Sequence, residues 1–317
     1  MSVFICFDIG GTKSHIALYK KKLNSYKLLY SASKQTIKGK RGLKNTLTFL
    51  FSNCLAFVIQ HNYELDNSIY ISMIGDFGLD TVLKQGSASN ICAFEGEFDD
   101  VCLADFFSDC FASNYKLYIV NDALAQCCGG YYVYNQSKRE NFKSVISYLG
   151  LGTGLGGAFA EFKKEKGLSF FTDGHVSRVQ MKSRLTNSNI TAEEVLSAHY
   201  FKSIGVLDVK NFLSQANYSQ HTRAQLNLLG AHFCDLVDLL FGNITTYHAS
   251  WAKKDIVKIK QTSLLLIGGS IGVSELTKPF LYDIYFPYLN QTYSNIEIYL
   301  ITNSFNCATL GAYLYFL

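Results

Sequence analysis

Val3-Phe4-Ile5-Cys6-Phe7-Asp8-Ile9-Gly10-Gly11-Thr12-Lys13-Ser14-His15-Ile16-Ala17-Leu18 reads as a buried strand, a glycine turn and a second strand. Val3 to Phe7 is an unbroken apolar run rich in β-formers, as a strand covered on both faces requires. Gly10 and Gly11 let the chain turn sharply and leave no Cβ between the amide N–H groups and a ligand. Thr12 adds a hydroxyl and Lys13 a cation. Asp8 closes the strand, where a carboxylate can hold a hydrated divalent cation. An N–H-lined turn beside a carboxylate suits a Mg-nucleotide phosphate tail. The same pattern alone is also that of an ordinary glycine hairpin.

A second unit of this kind follows. Val145-Ile146-Ser147-Tyr148-Leu149 runs into Gly150-Leu151-Gly152-Thr153-Gly154-Leu155-Gly156-Gly157 and then into Ala158-Phe159-Ala160-Glu161-Phe162. Two such hairpins in one chain imply two related halves facing a cleft. Between them, the strand Lys116-Leu117-Tyr118-Ile119-Val120 leads directly into Asn121-Asp122-Ala123. A carboxylate at a strand end is placed to accept a proton from a substrate hydroxyl. Phosphoryl transfer asks for little beyond that: a positioned base, alignment and charge neutralisation. In isolation Asn121-Asp122 would read as the cap of a helix beginning near Ala123; between two phosphate-type hairpins the base is the better reading.

Composition bounds the alternatives. With 48% hydrophobic and 17% charged residues in 317, the chain has the content for two modest cores and is not disordered. No apolar run reaches about 18 residues, so no membrane span is expected. The N-terminus enters a strand carrying Asp8, which does not read as a signal peptide. The net charge of +4 comes from scattered residues; Lys20-Lys21-Lys22 and Lys38-Gly39-Lys40-Arg41 fall where loops are expected, so no nucleic-acid surface is inferred. Nine cysteines, odd in number and without a C-x-x-C pair, read as reduced thiols of a cytoplasmic protein.

Helical spacing of Leu43, Leu47, Leu50, Phe51, Cys54, Leu55 and Val58 predicts an amphipathic helix over 42–60. With strands at 27–31, 68–73 and 116–120 and a helix near 101–113, the first half takes the order β-β-β-α-β-α-β. Leu226, Leu229, Phe233, Leu236, Val237 and Leu240 predict a long core helix over 222–241. Ser263–Ile267 is a buried strand ending in Gly268-Gly269-Ser270-Ile271; Ile296–Ile301 is a last strand, and Ala308-Thr309-Leu310-Gly311-Ala312-Tyr313 starts a closing helix.

In this order the motifs resemble the bacterial-type glucokinases and their relatives in the repressor/ORF/kinase (ROK) family of the actin/hexokinase superfamily, over almost the whole chain. The resemblance implies a two-domain α/β, actin/hexokinase-like (ribonuclease H-like) fold with a central cleft. The small domain would hold residues 1–121 plus the C-terminal segment 302–317, and the large domain residues 122–301. It implies ATP-dependent hexose phosphorylation, glucose being the default, with Asp122 as base and Asp8 near Mg²⁺. Gly10, Gly11, Thr12, Lys13, Gly152, Thr153 and Gly154 would cradle phosphates, with Gly268 and Gly269 beside the adenosine. The sugar would be met by Asn121, Asp122, His175 and the lid segment Phe171-Thr172-Asp173-Gly174-His175-Val176. That segment departs from the Gly-Glu-Gly-Gly-His-Val of the family: Thr172 stands at the Glu position, with Asp173 one residue later. A second family Glu, four residues before Ile190-Thr191-Ala192-Glu193-Glu194-Val195-Leu196-Ser197, falls on Thr186. The latter run has the spacing of a helix start capped by Thr191 and Glu194. The cysteine-rich zinc loop of many ROK members has no counterpart after His175, so no structural zinc is expected. A kinase for mannose or an N-acetylhexosamine, and a non-catalytic sugar-sensing relative, remain as alternatives. A repressor is disfavoured, because the first hairpin begins at residue 3. The expected partner is a small hexose, with a homodimer allowed.

Overall fold

The computed structural model describes residues 2–23, 25–78, 80–111, 114–138, 143–170, 174–214, 218–241, 263–272, 277–293 and 295–317. The chain divides into two compact units, one of residues 1–132 with 305–317 and the other of residues 133–304. The division falls inside the helix that follows Asn121, eleven residues beyond the boundary read from sequence, because that helix begins packed on the first sheet.

Unit 1 is built on the five-stranded sheet β3-β2-β1-β4-β5. Its strands are β1 (Val3–Ile9), β2 (Lys13–Lys22), β3 (Ser25–Gln35), β4 (Leu65–Met73) and β5 (Lys116–Asn121). β1, β2 and β3 form an antiparallel meander, while β4 and β5 run parallel to β1. All of β1 is buried, which is why its sequence shows no alternation. One face carries α1 (Lys40–Gln60) and α2 (Leu103–Phe111), whose Leu43, Leu47, Leu50 and Phe107 join Ile5, Phe7 and Ile71 in the core. The predicted order β-β-β-α-β-α-β is therefore met. Among the described residues, α1 alone has the length and composition of a membrane-crossing helix. Here Leu43, Leu47, Leu50, Cys54 and Val58 face the sheet, while Lys44, Asn45, Ser52 and Asn53 lie exposed.

The other face carries α3 (Asp122–Ser137) and α11 (Ser304–Leu314), with Phe4, Tyr19 and Tyr313 buried beneath. The two helices touch through backbone. A Cβ on Gly129 would lie 1.9 Å from the Cys307 carbonyl oxygen, and one on Gly311 1.8 Å from that of Ala125. Neither neighbour is a side chain that can swing away. Gly129→Ala should therefore cost about 3 kcal/mol, at the upper end of overpacking penalties, read as a lowered thermal midpoint. An unchanged midpoint would mean that the helices part at no cost.

Unit 2 repeats the plan. Its sheet is β12-β11-β6-β7-β8, made of β6 (Val145–Leu151), β7 (Leu155–Lys163), β8 (Gly167–Phe170), β11 (Leu264–Gly268) and β12 (Glu297–Leu300). β6, β7 and β8 are an antiparallel meander, and β11 and β12 run parallel to β6. The two sheets share one topology, as two glycine hairpins implied. Between β8 and β11 come a short hairpin of β9 (Gln180–Lys182) and β10 (Asn189–Thr191) and three small helices, α4 (Ala192–Leu196), α5 (Ala198–Ser203) and α6 (Val209–Leu213). The long α7 (Gln220–Phe241) follows. It buries Leu226, Leu229, Phe233, Leu236 and Val237, as their spacing predicts; the Leu240 side chain lies outside the described residues. After β11, α8 (Gly269–Gly272), α9 (Lys278–Phe280), a π turn (Leu281–Tyr285) and α10 (Phe286–Thr292) complete the unit. All nine cysteines are free thiols.

Candidate active site

In unit 1 the carboxyl ends of β1, β4 and β5 stand side by side: Ile9 pairs with Met73, and Met73 with Asn121. Ligands of α/β sheets bind beyond such ends. Asp8, one residue before the end of β1, is buried. The β4 residue at its register, Ser72, donates its hydroxyl to Asp8 Oδ1 at 2.9 Å. Asp122 opens α3 directly after β5. The Ala123 N–H donates to both Asp122 Oδ1 and Asn121 Oδ1, each at 2.9 Å. Asn121 Nδ2 in turn donates to the Gly75 carbonyl at 3.1 Å. The cap reading is thus realised by Asn121, a buried residue whose amide ties β5, α3 and the end of β4 together.

The charge of Asp122 acts on the Asp8 carboxyl. Burial pushes the Asp8 carboxyl up to about 7, the charge of Asp122 adds to this, and the Ser72 bond offsets part. Burial also pushes Asp122 up to about 6, against the pull of backbone N–H groups. Two carboxylates held up in this way are a hard-oxygen pair short of positive charge. That fits Mg²⁺, which is held by one or two protein carboxylates together with water and substrate phosphate. Among the described residues there is no cluster of three or more His, Cys, Asp or Glu able to hold a metal, so a dedicated protein cage is not what these residues offer.

The β1–β2 turn, Gly10 to Thr12, is braced from a direction the sequence did not signal. Thr36, just past β3, donates its hydroxyl to the Gly10 carbonyl at 2.8 Å and its N–H to the Thr12 carbonyl at 3.0 Å. Gly10 N–H closes the turn on the Lys13 carbonyl at 3.0 Å. Thr12 and Lys13 are exposed. Gly11 has a packing reason beyond ligand approach: its Cβ would meet Asn90 Cβ at 2.9 Å. Asn90 belongs to the irregular segment between β4 and α2, which was not assigned from sequence.

In unit 2, Gly152 N–H closes the β6–β7 turn on the Gly154 carbonyl at 3.1 Å. Thr153 at its tip is exposed. Gly268 pairs with Gly150 across the sheet. Gly269, at φ 80°, takes a conformation that favours glycine, and its Cβ would lie 2.3 Å from the Leu151 carbonyl oxygen. The Ser270 N and Oγ lie 3.4 Å from where a Gly152 Cβ would stand. The predicted phosphate turn and the predicted adenosine-side glycines are therefore neighbours. His175 is half-buried beside β7: Gly174 just before it accepts Gly157 N–H at 3.2 Å, and Val176 after it fills the space over Gly157. Thr172 and Asp173 lie outside the described residues. Thr186 sits in the β9–β10 turn, bonded to Ser188 Oγ at 2.6 Å.

One acid escaped the sequence reading. Glu193 Oε1 lies 2.8 Å from where a Gly154 Cβ would be. Thr191 caps α4 with Glu194 completing the capping box, as its spacing predicts. Fixing the helix start at Ala192 puts Glu193 in the first turn, so the spacing that marks the capping box also carries the signal for Glu193.

No family model matches the chain, and neither does any curated protein. Solved structures do. The ROK hexokinase from Thermus thermophilus is 14% identical, with a TM-score of 0.64, covering 99% of this chain and 99% of that one. A ROK family glucokinase from Streptomyces griseus, in complex with glucose and AMPPNP, is 16% identical with a TM-score of 0.60, covering 98% of each chain. The fold is that of the ROK sugar kinases. It is shared by a ROK family transcriptional regulator, a homolog of the E. coli MLC protein, at 13% identity and a TM-score of 0.63; that match covers 98% of this chain and 78% of the regulator. Within the ROK fold, then, catalysis and regulation have to be told apart by the site.

Proposed function

We propose that the chain is an ATP-dependent hexose kinase, converting glucose and ATP to glucose 6-phosphate and ADP. The observation that carries this reading is the pair of carboxyls at the carboxyl ends of β1 and β5, Asp8 buried and Asp122 half-buried, both pushed up by desolvation. A binding module has no use for two carboxyls held up by burial at one sheet edge, whereas a kinase needs one as base and one at the metal. Asp122 takes the proton of the sugar hydroxyl as its oxygen bonds to the γ-phosphorus. The bond to the bridging oxygen breaks and ADP leaves. Mg²⁺, when bound, would neutralise phosphate charge, with Asp8 holding it through water. Gly10, Gly11, Thr12, Lys13, Gly152, Thr153 and Gly154 are assigned to the phosphates, and Gly268 and Gly269 to the adenosine. Asn121 and His175 orient the sugar, with Thr172 and Asp173 of the lid segment.

Glu193 joins this assignment. A carboxylate against a phosphate turn repels phosphate but accepts hydroxyl hydrogen bonds well, so a sugar is its natural partner. Losing one charge-assisted bond costs about 1.5–3 kcal/mol. Glu193→Gln should then raise the sugar KM roughly tenfold or more. The test of the whole reading is a coupled kinase assay over glucose, mannose and N-acetylhexosamines with Mg-ATP. Phosphorylation of glucose above the others supports the glucokinase assignment, and a different preferred hexose transfers it to that sugar. The likeness to a regulator favours one competing reading, a sugar-sensing protein without catalysis. Calorimetric binding of glucose with no turnover on any sugar would establish that instead.

A further inference from the structure

The β9–β10 hairpin has three residue pairs, and a two-stranded hairpin is marginal by itself in water. Two anchors hold it within unit 2. Met181 is buried in the core. Arg184, in the turn, reaches α7 twice: its backbone N–H donates to His232 Nε2 at 3.2 Å, and its guanidinium grips Asp235 through Nε–Oδ2 at 2.7 Å and Nη2–Oδ1 at 2.5 Å. Two parallel bonds to one carboxylate fix direction as well as distance. His232 is buried and its Nε2 acts as acceptor, so the clamp closes on a rigid helix. The far end of the hairpin becomes α4. Ala192 N–H donates to the Val179 carbonyl at 2.8 Å, Glu193 stands against Gly154, and Ala198 N–H donates to the Gly152 carbonyl at 2.9 Å.

We infer that Arg184 is a positioning residue: by pinning the β9–β10 turn to Asp235 and His232 it sets where Glu193 stands at the Gly152–Gly154 turn. The effect on sugar binding rests on the kinase reading above, whereas the mechanical link from Arg184 to α4 does not. Arg184 is half exposed, so the pair adds little to global stability. Its consequence is local, at the end of the hairpin.

The experiment compares the full-length parent with Arg184→Ala, Asp235→Asn and the double variant, by amide hydrogen exchange and by kinetics. Each single change should speed exchange at Ala192 and Ala198 about tenfold with the β6 and β11 amides unaffected, and the double should add nothing further. Sugar KM should rise about fivefold to tenfold, with the KM for ATP and kcat within twofold of the parent. Arg184→Lys, which keeps the charge but not the fork, should fall between parent and Arg184→Ala. Unchanged exchange at Ala192 and Ala198, or equal acceleration throughout unit 2, overturns the inference. If the parent phosphorylates no sugar, the kinase reading fails and the exchange data still decide the link.

Discussion

Asp122→Asn should lower kcat by about a hundredfold or more, the scale of losing a positioned base, while fold and nucleotide binding survive. Asn keeps the shape and can still accept the Ala123 N–H that Asp122 Oδ1 accepts now. It cannot take a proton. The loss should fall on kcat and kcat/KM together, because the base acts only as the transition state forms. The parent should also show an acid limb. With the Asp122 carboxyl at about 6 and Asp8 at about 7, kcat/KM should rise from pH 5 to pH 7.5 as the pair ionises. Stopped-assay kinetics across this range, with an unfolding trace for each variant, provide the check. Turnover by Asp122→Asn within a few-fold of the parent would remove Asp122 from the chemistry.

The parts of this site that were legible in sequence are those written in backbone terms. Gly10-Gly11 and Gly152-Thr153-Gly154 break strong strand patterns, and a turn between two apolar runs has few other meanings. Asn121-Asp122 follows a strand with no residue between, so its place at the sheet's end could be counted off. Thr36, Asn90 and Ser72 were not legible. Each acts on a residue far away in sequence: Thr36 bonds Gly10, 26 positions earlier, and Ser72 bonds Asp8 across 64. Nothing in their local pattern distinguishes them from other polar residues near strands. In the family motif the sugar-binding acids stand at fixed offsets in loops. Thr186 occupies one such offset, yet it turns to Ser188. Glu193 reaches the glycine turn because the capped start of α4 aims it there, and offsets in loops do not carry that information.

Asp8→Asn should stabilise the protein at pH 8 and change little at pH 4. The native Asp8 carboxyl titrates at about 7, whereas an aspartate in an unfolded chain titrates near 4. The native state therefore keeps this proton where the unfolded chain has released it. By linkage, stability falls as pH rises from about 4 to about 7, and below that window the effect vanishes because both states are protonated. A shift of about three units corresponds to about 4 kcal/mol at most. Asn removes the charge while its oxygen can still accept the Ser72 hydroxyl. Its amide N–H groups need partners of their own, which trims the expected gain to about 2–4 kcal/mol. Thermal unfolding at both pH values reads this directly: a midpoint several degrees higher at pH 8 and nearly level at pH 4. Mg²⁺ supplies the second arm. If the ionised Asp8 is retained at this cost because it holds the cation, millimolar Mg²⁺ with nucleotide should raise the parent's midpoint at pH 8 more than the variant's. Equal stabilisation of the two by Mg-nucleotide would move the metal away from Asp8, and an equal effect of the substitution at both pH values would mean that Asp8 carries no raised pKa.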